Sequence, residues 1–190
     1  MRNVIYPLAV SLDGYIEATD GTLDWGVVDD EVFQHYIERE ALFGTHVYGR
    51  RLYEDMNAFW PTADENPEAP ASIVAFARIW KAIPTVVFSR TLTQVAGNAR
   101  LASGSLADEV KQLKAQDGLD IVVGGAELAA GCLALGLVDE LRLYIQPIIL
   151  GGGKPMFRPM PNRTKFQLVE TRTFRAGAVM LRYLKAGERS

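Results

Sequence analysis

Asp120-Ile121-Val122-Val123-Gly124-Gly125-Ala126-Glu127-Leu128 opens the stretch, Asp120 to Phe157, whose reading decides the fold. An apolar run follows, with Leu128, Cys132 and Leu135 at helical spacing. Next comes Val138-Asp139-Glu140-Leu141-Arg142-Leu143-Tyr144-Ile145-Gln146-Pro147-Ile148-Ile149-Leu150, then Gly151-Gly152-Gly153-Lys154-Pro155. A short apolar run closed by paired glycines reads as a buried strand, Ile121 to Val123, with a helix starting on the glycines. A second strand follows, with Leu141, Leu143 and Ile145 on one face and Arg142, Tyr144 and Gln146 on the other. Glycines at a strand-to-helix turn let backbone approach a ligand closely. The helix start behind them offers free N–H groups and partial positive charge to a phosphate. The pattern points to a nucleotide cofactor, and so to an enzyme.

Composition narrows the alternatives. The 190 residues are 48% hydrophobic and 23% charged, as in an ordinary globular domain. The net charge of -3 and pI of about 5.5 argue against nucleic acid, which needs a clustered basic face. One cysteine, Cys132, excludes an intrachain disulfide and suits a reducing compartment, so a cytoplasmic location is expected. The apolar run after Met1-Arg2 is too short to span a membrane. His35 and His46 stand alone, so no metal is assigned. Neither repeat nor linker interrupts the chain, and residues 1–190 read as one domain.

Working outward, Val4 to Val10 reads as a strand, although Pro7 removes a ladder donor. A helix is expected from Asp29, then a short strand His46-Val47-Tyr48 turning at Gly49-Arg50-Arg51 into another helix. Prolines at 61, 67 and 70 mark a loop, followed by a helix from about Ala71 to Lys81 and a strand Thr85 to Phe88. Phe166 to Phe174 and Val179 to Leu184 alternate around Arg175-Ala176-Gly177, a hairpin signal. Strands separated by helices imply a largely parallel α/β sheet covered on both faces, with the hairpin adding antiparallel strands.

In open α/β sheets, ligands bind beyond the carboxyl ends of the strands. Three such ends carry suitable chemistry: Gly49-Arg50-Arg51, Ser89-Arg90-Thr91 and Gly124-Gly125-Ala126. Guanidinium forks suit phosphate oxygens, and main-chain N–H groups suit a pyrophosphate. Each signal alone also fits a plain turn or a solvated pair of charges. Gly-x-Gly-x-x-Gly and the P-loop pattern are both absent, which disfavours a Rossmann dehydrogenase or a P-loop NTPase.

Ser11-Leu12-Asp13-Gly14-Tyr15-Ile16, Tyr48-Gly49-Arg50-Arg51-Leu52-Tyr53-Glu54, Val87-Phe88-Ser89-Arg90-Thr91-Leu92 and the 120–157 block occur in that order. The chain thereby resembles the dihydrofolate-reductase-like superfamily, from about Val4 to Leu184. It is most similar to the C-terminal reductase domain of the bifunctional riboflavin-biosynthesis deaminase-reductase. The resemblance implies a three-layer fold with a mixed, mostly parallel sheet of about eight strands. It implies NADPH as hydride donor, a small heterocyclic or imine substrate, and a homodimer. By position, Ala9 and Ile16 would touch the nicotinamide end. Gly49, Arg50, Arg51, Ser89 and Arg90 would meet the phosphates, and Gly124, Gly125, Ala126, Glu127 and Leu128 would run under the pyrophosphate.

Two departures bear on the substrate. Val123 stands where these reductases carry an acidic residue before the paired glycines, and the first helix shows Phe33, His35 and Tyr36 where they carry arginine. The nearest formal activity is reduction of 5-amino-6-(5-phosphoribosylamino)uracil. A dihydrofolate or pteridine reductase, or a non-catalytic NADPH-binding dimer, are the alternatives.

Hydride transfer to an imine also needs a proton source. Asp13 is the expected catalytic carboxylate, or else part of an Asp-Gly turn. Trp25 can stack on a flat ring or plug the core edge. Asp29 faces the substrate or, with Asp30, caps the helix. Phe33 belongs to the pocket or the core. Tyr144 and Gln146 line the pocket mouth or face solvent. Gly151 to Lys154 reads as a flexible bend, and Cys132 as core packing.

Overall fold

The computed structural model describes residues 1–160 and 162–187. The chain runs β1 (Val4–Val10), β2 (Tyr15–Glu17), α1 (Asp30–Glu40), β3 (Phe43–Gly49) and α2 (Arg50–Phe59). Then come α3 (Ala71–Ala82), β4 (Thr85–Phe88), β5 (Ala99–Leu101), α4 (Leu106–Ala115), β6 (Asp120–Gly124) and α5 (Ala126–Ala134). It ends with β7 (Glu140–Ile145), β8 (Lys154–Pro155), β9 (Phe166–Thr173) and β10 (Val179–Lys185). Eight strands form one sheet in the order β5-β4-β3-β6-β1-β7-β10-β9. The pairs from β5 to β7 are parallel, and β10 and β9 complete the sheet antiparallel. This is the expected α/β class. Sequence reading missed β5, β2 and β8, which have only two or three residues each.

The two faces of β1 sort its side chains. Val4, Tyr6 and Leu8 pack with Val110 and Leu113 of α4 and Ala129, Cys132 and Leu133 of α5. Ile5 points the other way, to Phe43, Ile83 and Val122. Burial pushes the Cys132 thiol up to about 12, consistent with packing rather than reactivity. Fully burying one such aliphatic side chain contributes roughly 1.5–3 kcal/mol.

Pro7 sits in a central strand without breaking the sheet. The β1–β6 ladder holds only at Val4↔Ile121 and Ile5↔Val122, so it ends before the proline. The β1–β7 ladder continues to Val10↔Ile145. The sheet therefore parts between β1 and β6 at their carboxyl ends.

α1 starts on Asp29, whose carboxylate accepts from Val32 N at 2.9 Å, with Asp30 and Glu31 in the first turn. Under α1 lies a polar layer. His35, 1% exposed, accepts at Nδ1 from Arg172 Nη1 (3.0 Å) and donates from Nε2 to the Tyr144 hydroxyl (3.2 Å). An Nδ1 that accepts from a guanidinium carries no proton, so the ring is neutral. Burial first, then Arg39 and Arg172, lowers its pKa from 6.5 to about 4.

The stretch expected to be a flexible bend is a packed crossing. Lys154 and Pro155 pair with Glu17 and Tyr15. Gly153 has φ +129°, and a Cβ there would lie 2.0 Å from the Glu17 carbonyl oxygen. Only glycine fits where the two backbones cross.

Two expectations follow. Gly153→Ala should destabilise the protein by about 3 kcal/mol or more, through strain and collision together. Gly151→Ala has positive φ but nothing within 4 Å, and should cost no more than about 1–2 kcal/mol; equal thermal shifts for the two variants would contradict the crossing. For His35, the folded pKa of about 4 lies below the ordinary 6.5. Its stabilisation is complete above pH 6.5 and is lost as pH falls toward 4, a loss on the order of 3 kcal/mol. Urea midpoints should fall across that window in the wild type and much less in His35→Gln; identical slopes would refute the assignment.

Candidate active site

Strand register brings the three corners together. Tyr48 pairs with Gly124, and Gly49 pairs with Phe88. The residues that follow β3, β4 and β6 therefore leave the sheet side by side. α2 begins on Gly49 and α5 on Gly125, and neither helix has a side-chain cap. A Cβ on Gly125 would lie 3.6 Å from Gly49 N, so the two helix starts touch. Gly125 has φ +91°, a conformation other residues rarely adopt. A Cβ on Gly124 would lie 2.3 Å from Leu52 Cδ2 and 3.0 Å from the Tyr48 ring, so its bareness lets α2 pack closely.

The third corner is tied to the first. Ser89 Oγ accepts from Thr91 N (3.1 Å) and Leu92 N (2.9 Å), and Arg50 Nη1 donates to Thr91 Oγ1 at 3.1 Å. Arg51 and Arg90 stand exposed beside them. All three corners line one cleft of about 710 Å3, with Gly49, Ser89 and Gly125 in its wall. Of the residues carried over for the cofactor, Ile16, Arg50, Arg51, Arg90, Ala126, Glu127 and Leu128 also line it. Gly124 lies behind the wall, and the Glu127 carboxylate is ion-paired to Arg158.

Sequence reading missed several lining residues. Asp55 follows Arg51 by one helical turn, so it shares that face of α2; the i, i+4 spacing was a usable signal. Glu17, Leu23 and Lys154 arrive on β2, its following loop and β8, with Lys154 Nζ 3.6 Å from the Glu17 carboxylate. A two-residue strand gives no periodicity to read.

Ala9 is exposed although β1 is central in the sheet. It lies beyond the point where β1 and β6 part, on the strand face opposite Leu8 and Val10.

The residues proposed for the substrate fare differently. The Asp13 carboxylate accepts from Ser11 Oγ (2.6 Å), Leu150 N (3.1 Å) and Gly151 N (2.8 Å), and it is not in the cleft lining. The Ser11 hydroxyl, then the two backbone N–H groups, hold it below the usual carboxylate range. It staples the Leu150–Gly151 turn to the end of β1. A carboxylate so held ionised is a poor proton source. Asp29 caps α1. Phe33 stacks on Phe76 with centroids 5.8 Å apart and turns toward α3.

Tyr144 and Gln146 neither line the cleft nor face solvent. They are 3% and 1% exposed: α1 and the hairpin cover Tyr144, and residues 26–27 lie against Gln146. Tyr144 packs against Val32, Phe174 and Met180, and burial pushes its hydroxyl up to about 12. Gln146 Oε1 accepts from Val27 N at 2.9 Å, while Gln146 Nε2 is buried without a partner. Trp25 is half-buried, and its indole Nε1 is also buried and unpartnered. No helix among the described residues is long and apolar enough to cross a membrane.

The chain is similar to known proteins in sequence and in fold. YyaP of Bacillus subtilis is 35% identical over 187 residues, covering 96% of this chain and 94% of its own length. The riboflavin biosynthesis protein RibD of Corynebacterium ammoniagenes is 28% identical over 174 residues, 86% of this chain and 48% of that protein. In fold, the chain matches the crystal structure of Acinetobacter baumannii RibD with a TM-score of 0.70 and 19% identity, over 98% of this chain and 58% of that one. The RibD C-terminal domain model matches residues 2–180, and the chain belongs to that family.

Proposed function

We propose that this chain is an NADPH-dependent reductase that delivers hydride to a small heterocyclic or imine-bearing substrate. The carrying observation is the contact between two glycine-started, uncapped helix N-termini beside an arginine-bearing corner. Adjacent helix starts direct unsatisfied N–H groups and two partial positive charges at one point. That suits the paired phosphates of a dinucleotide, and the φ of +91° at Gly125 keeps a side chain away from that point. The donor set fits the cofactor.

Gly49, Gly125 and Ala126 would hold the pyrophosphate through main-chain N–H groups. Arg50, Arg51, Ser89 and Arg90 would hold the extra phosphate that distinguishes NADPH from NADH. Ile16 and Ala9 would form the apolar surface at the nicotinamide end. When bound, NADPH supplies the hydride. The chain's own work is to orient the cofactor, to exclude water around it, and to bring the substrate alongside.

The nearest activity by family is reduction of a phosphoribosylamino-uracil, and the protein's own residues favour a substrate without that phosphate. The arginine of α1 is Arg39, in its last turn and 3.5 Å from Glu170.

Arg50→Ala and Arg90→Ala should each weaken NADPH binding about tenfold or more and leave NADH within about twofold, measured by fluorescence titration. Equal losses for both coenzymes would refute the phosphate role. Oxidation of bound NADPH, followed by its absorbance across a panel of pterins, flavins and cyclic imines, tests turnover. Tight binding with no oxidation by any of them would make the chain a binding protein instead.

A further inference from the structure

Beyond the cofactor cleft, five buried side-chain donors among the described residues have no partner, and two of them belong to one end of the sheet. Gln146 Nε2 and Trp25 Nε1 are closed off from solvent and have no partner. Buried donors are normally satisfied, and each exception calls for a physical reason. The backbone beside Trp25 lies against the Gln146 side chain. The Gly26 backbone rests on the Gln146 carboxamide, where a Cβ would lie 3.7 Å from Gln146 Cδ. Trp25 is the residue before it.

Their place is the end of the sheet that the proposed function assigns to the nicotinamide. Gln146 N donates to Val10 O, which puts Gln146 just past the end of β7, beside the end of β1. Ala9 pairs with Tyr144, two residues earlier, so the alternation puts Ala9, Tyr144 and Gln146 on one face of the sheet. Leu23, two residues before Trp25, lines the cofactor cleft.

The cover over these donors is light. Residues 23–28 contain neither helix nor strand, and Leu23, Val27 and Val28 expose apolar side chains. Among the described residues, one hydrogen bond ties this stretch to the sheet, from Val27 N to Gln146 Oε1. That bond also fixes the carboxamide orientation, since an oxygen must face Val27 N. Nε2 is thereby committed as a donor.

We propose that Gln146 Nε2 and Trp25 Nε1 form a paired donor site that reads an acceptor edge, a ring carbonyl, on the substrate. The ring reaches them when the exposed side chains of Leu23 and Val28 move aside, with Val27 N still on Gln146 Oε1. This rests on the reductase reading above and adds to it which residues select the ring. Two fixed donors favour a carbonyl-bearing ring over one with amino groups at the same positions, because donor facing donor leaves both unpaired.

The test compares lumazine (pteridine-2,4-dione) with 2,4-diaminopteridine, isosteric rings that swap acceptors for donors. Binding of each to the full chain is measured by calorimetry, with and without NADP+. Wild type should bind lumazine at least tenfold more tightly. Trp25→Phe keeps the ring and removes one donor. Gln146→Glu, assayed at a pH where the carboxylate is ionised, keeps the acceptor for Val27 N and removes the other. Each should weaken lumazine about tenfold, narrow the preference, and leave NADP+ binding within twofold. Binding of neither ring, equal binding of both, or an unchanged preference in both variants overturns the proposal; a lowered melting temperature with that preference intact means the donors serve structure alone. If NADP+ fails to bind while lumazine selectivity persists, the cofactor reading falls and the donor pair stands.

Discussion

The contact between Gly49 and Gly125 is the constraint on which the site depends. Two helices start there, and neither residue brings a side chain between them. The contact is a consequence of register. β3 lies between β4 and β6, and the pairs Gly49↔Phe88 and Tyr48↔Gly124 end all three strands at one level. A slip of one residue in either ladder would separate the corners and turn core side chains outward. The same hydrophobic alternation that buries Val47, Val86 and Val123 therefore positions the polar corners.

The opposite half of the sheet works differently. β1 leaves β6 after Ile5, where Pro7 has no N–H to offer, and stays with β7 to its end. That parting exposes Ala9 in the middle of the molecule. The loops beyond β1 and β7 are then held by polar staples: Asp13 on Leu150 and Gly151, Val27 on Gln146, and the glycine crossing at Gly153. These contacts are local and few, so this end has lower expected local stability than the corners around Gly49. Under the proposed function, that asymmetry would admit a substrate beside a more firmly held cofactor.

Much of the fold was legible because its signals are local. The run Ile121 to Val123, the paired glycines and the apolar helix behind them announce a strand, a turn and a helix without tertiary context. Gly49, Ser89 and Gly125 were legible as a set because open α/β sheets collect strand ends. Tyr144 and Gln146 were not. Alternation tells which strand face a residue occupies, but not that α1 and a distant hairpin cover Tyr144 or that the loop before α1 lies over Gln146. Asp13 misled for a related reason, since a carboxylate after a strand looks the same whether it meets a substrate or the backbone N–H groups of residues 150 and 151. The Gly151–Lys154 stretch read as flexible because glycine permits freedom; here Gly153 serves close approach instead.

The most direct measurement is an amide NMR titration of the protein with NADPH. The account predicts that the backbone signals of Gly49, Arg50, Ser89, Gly125 and Ala126 shift together along a single binding curve. Saturable binding that leaves those amides still, with shifts gathered instead around Phe59, Asn66 and Ile73, which line a second hollow from the end of α2 to the start of α3, would contradict it.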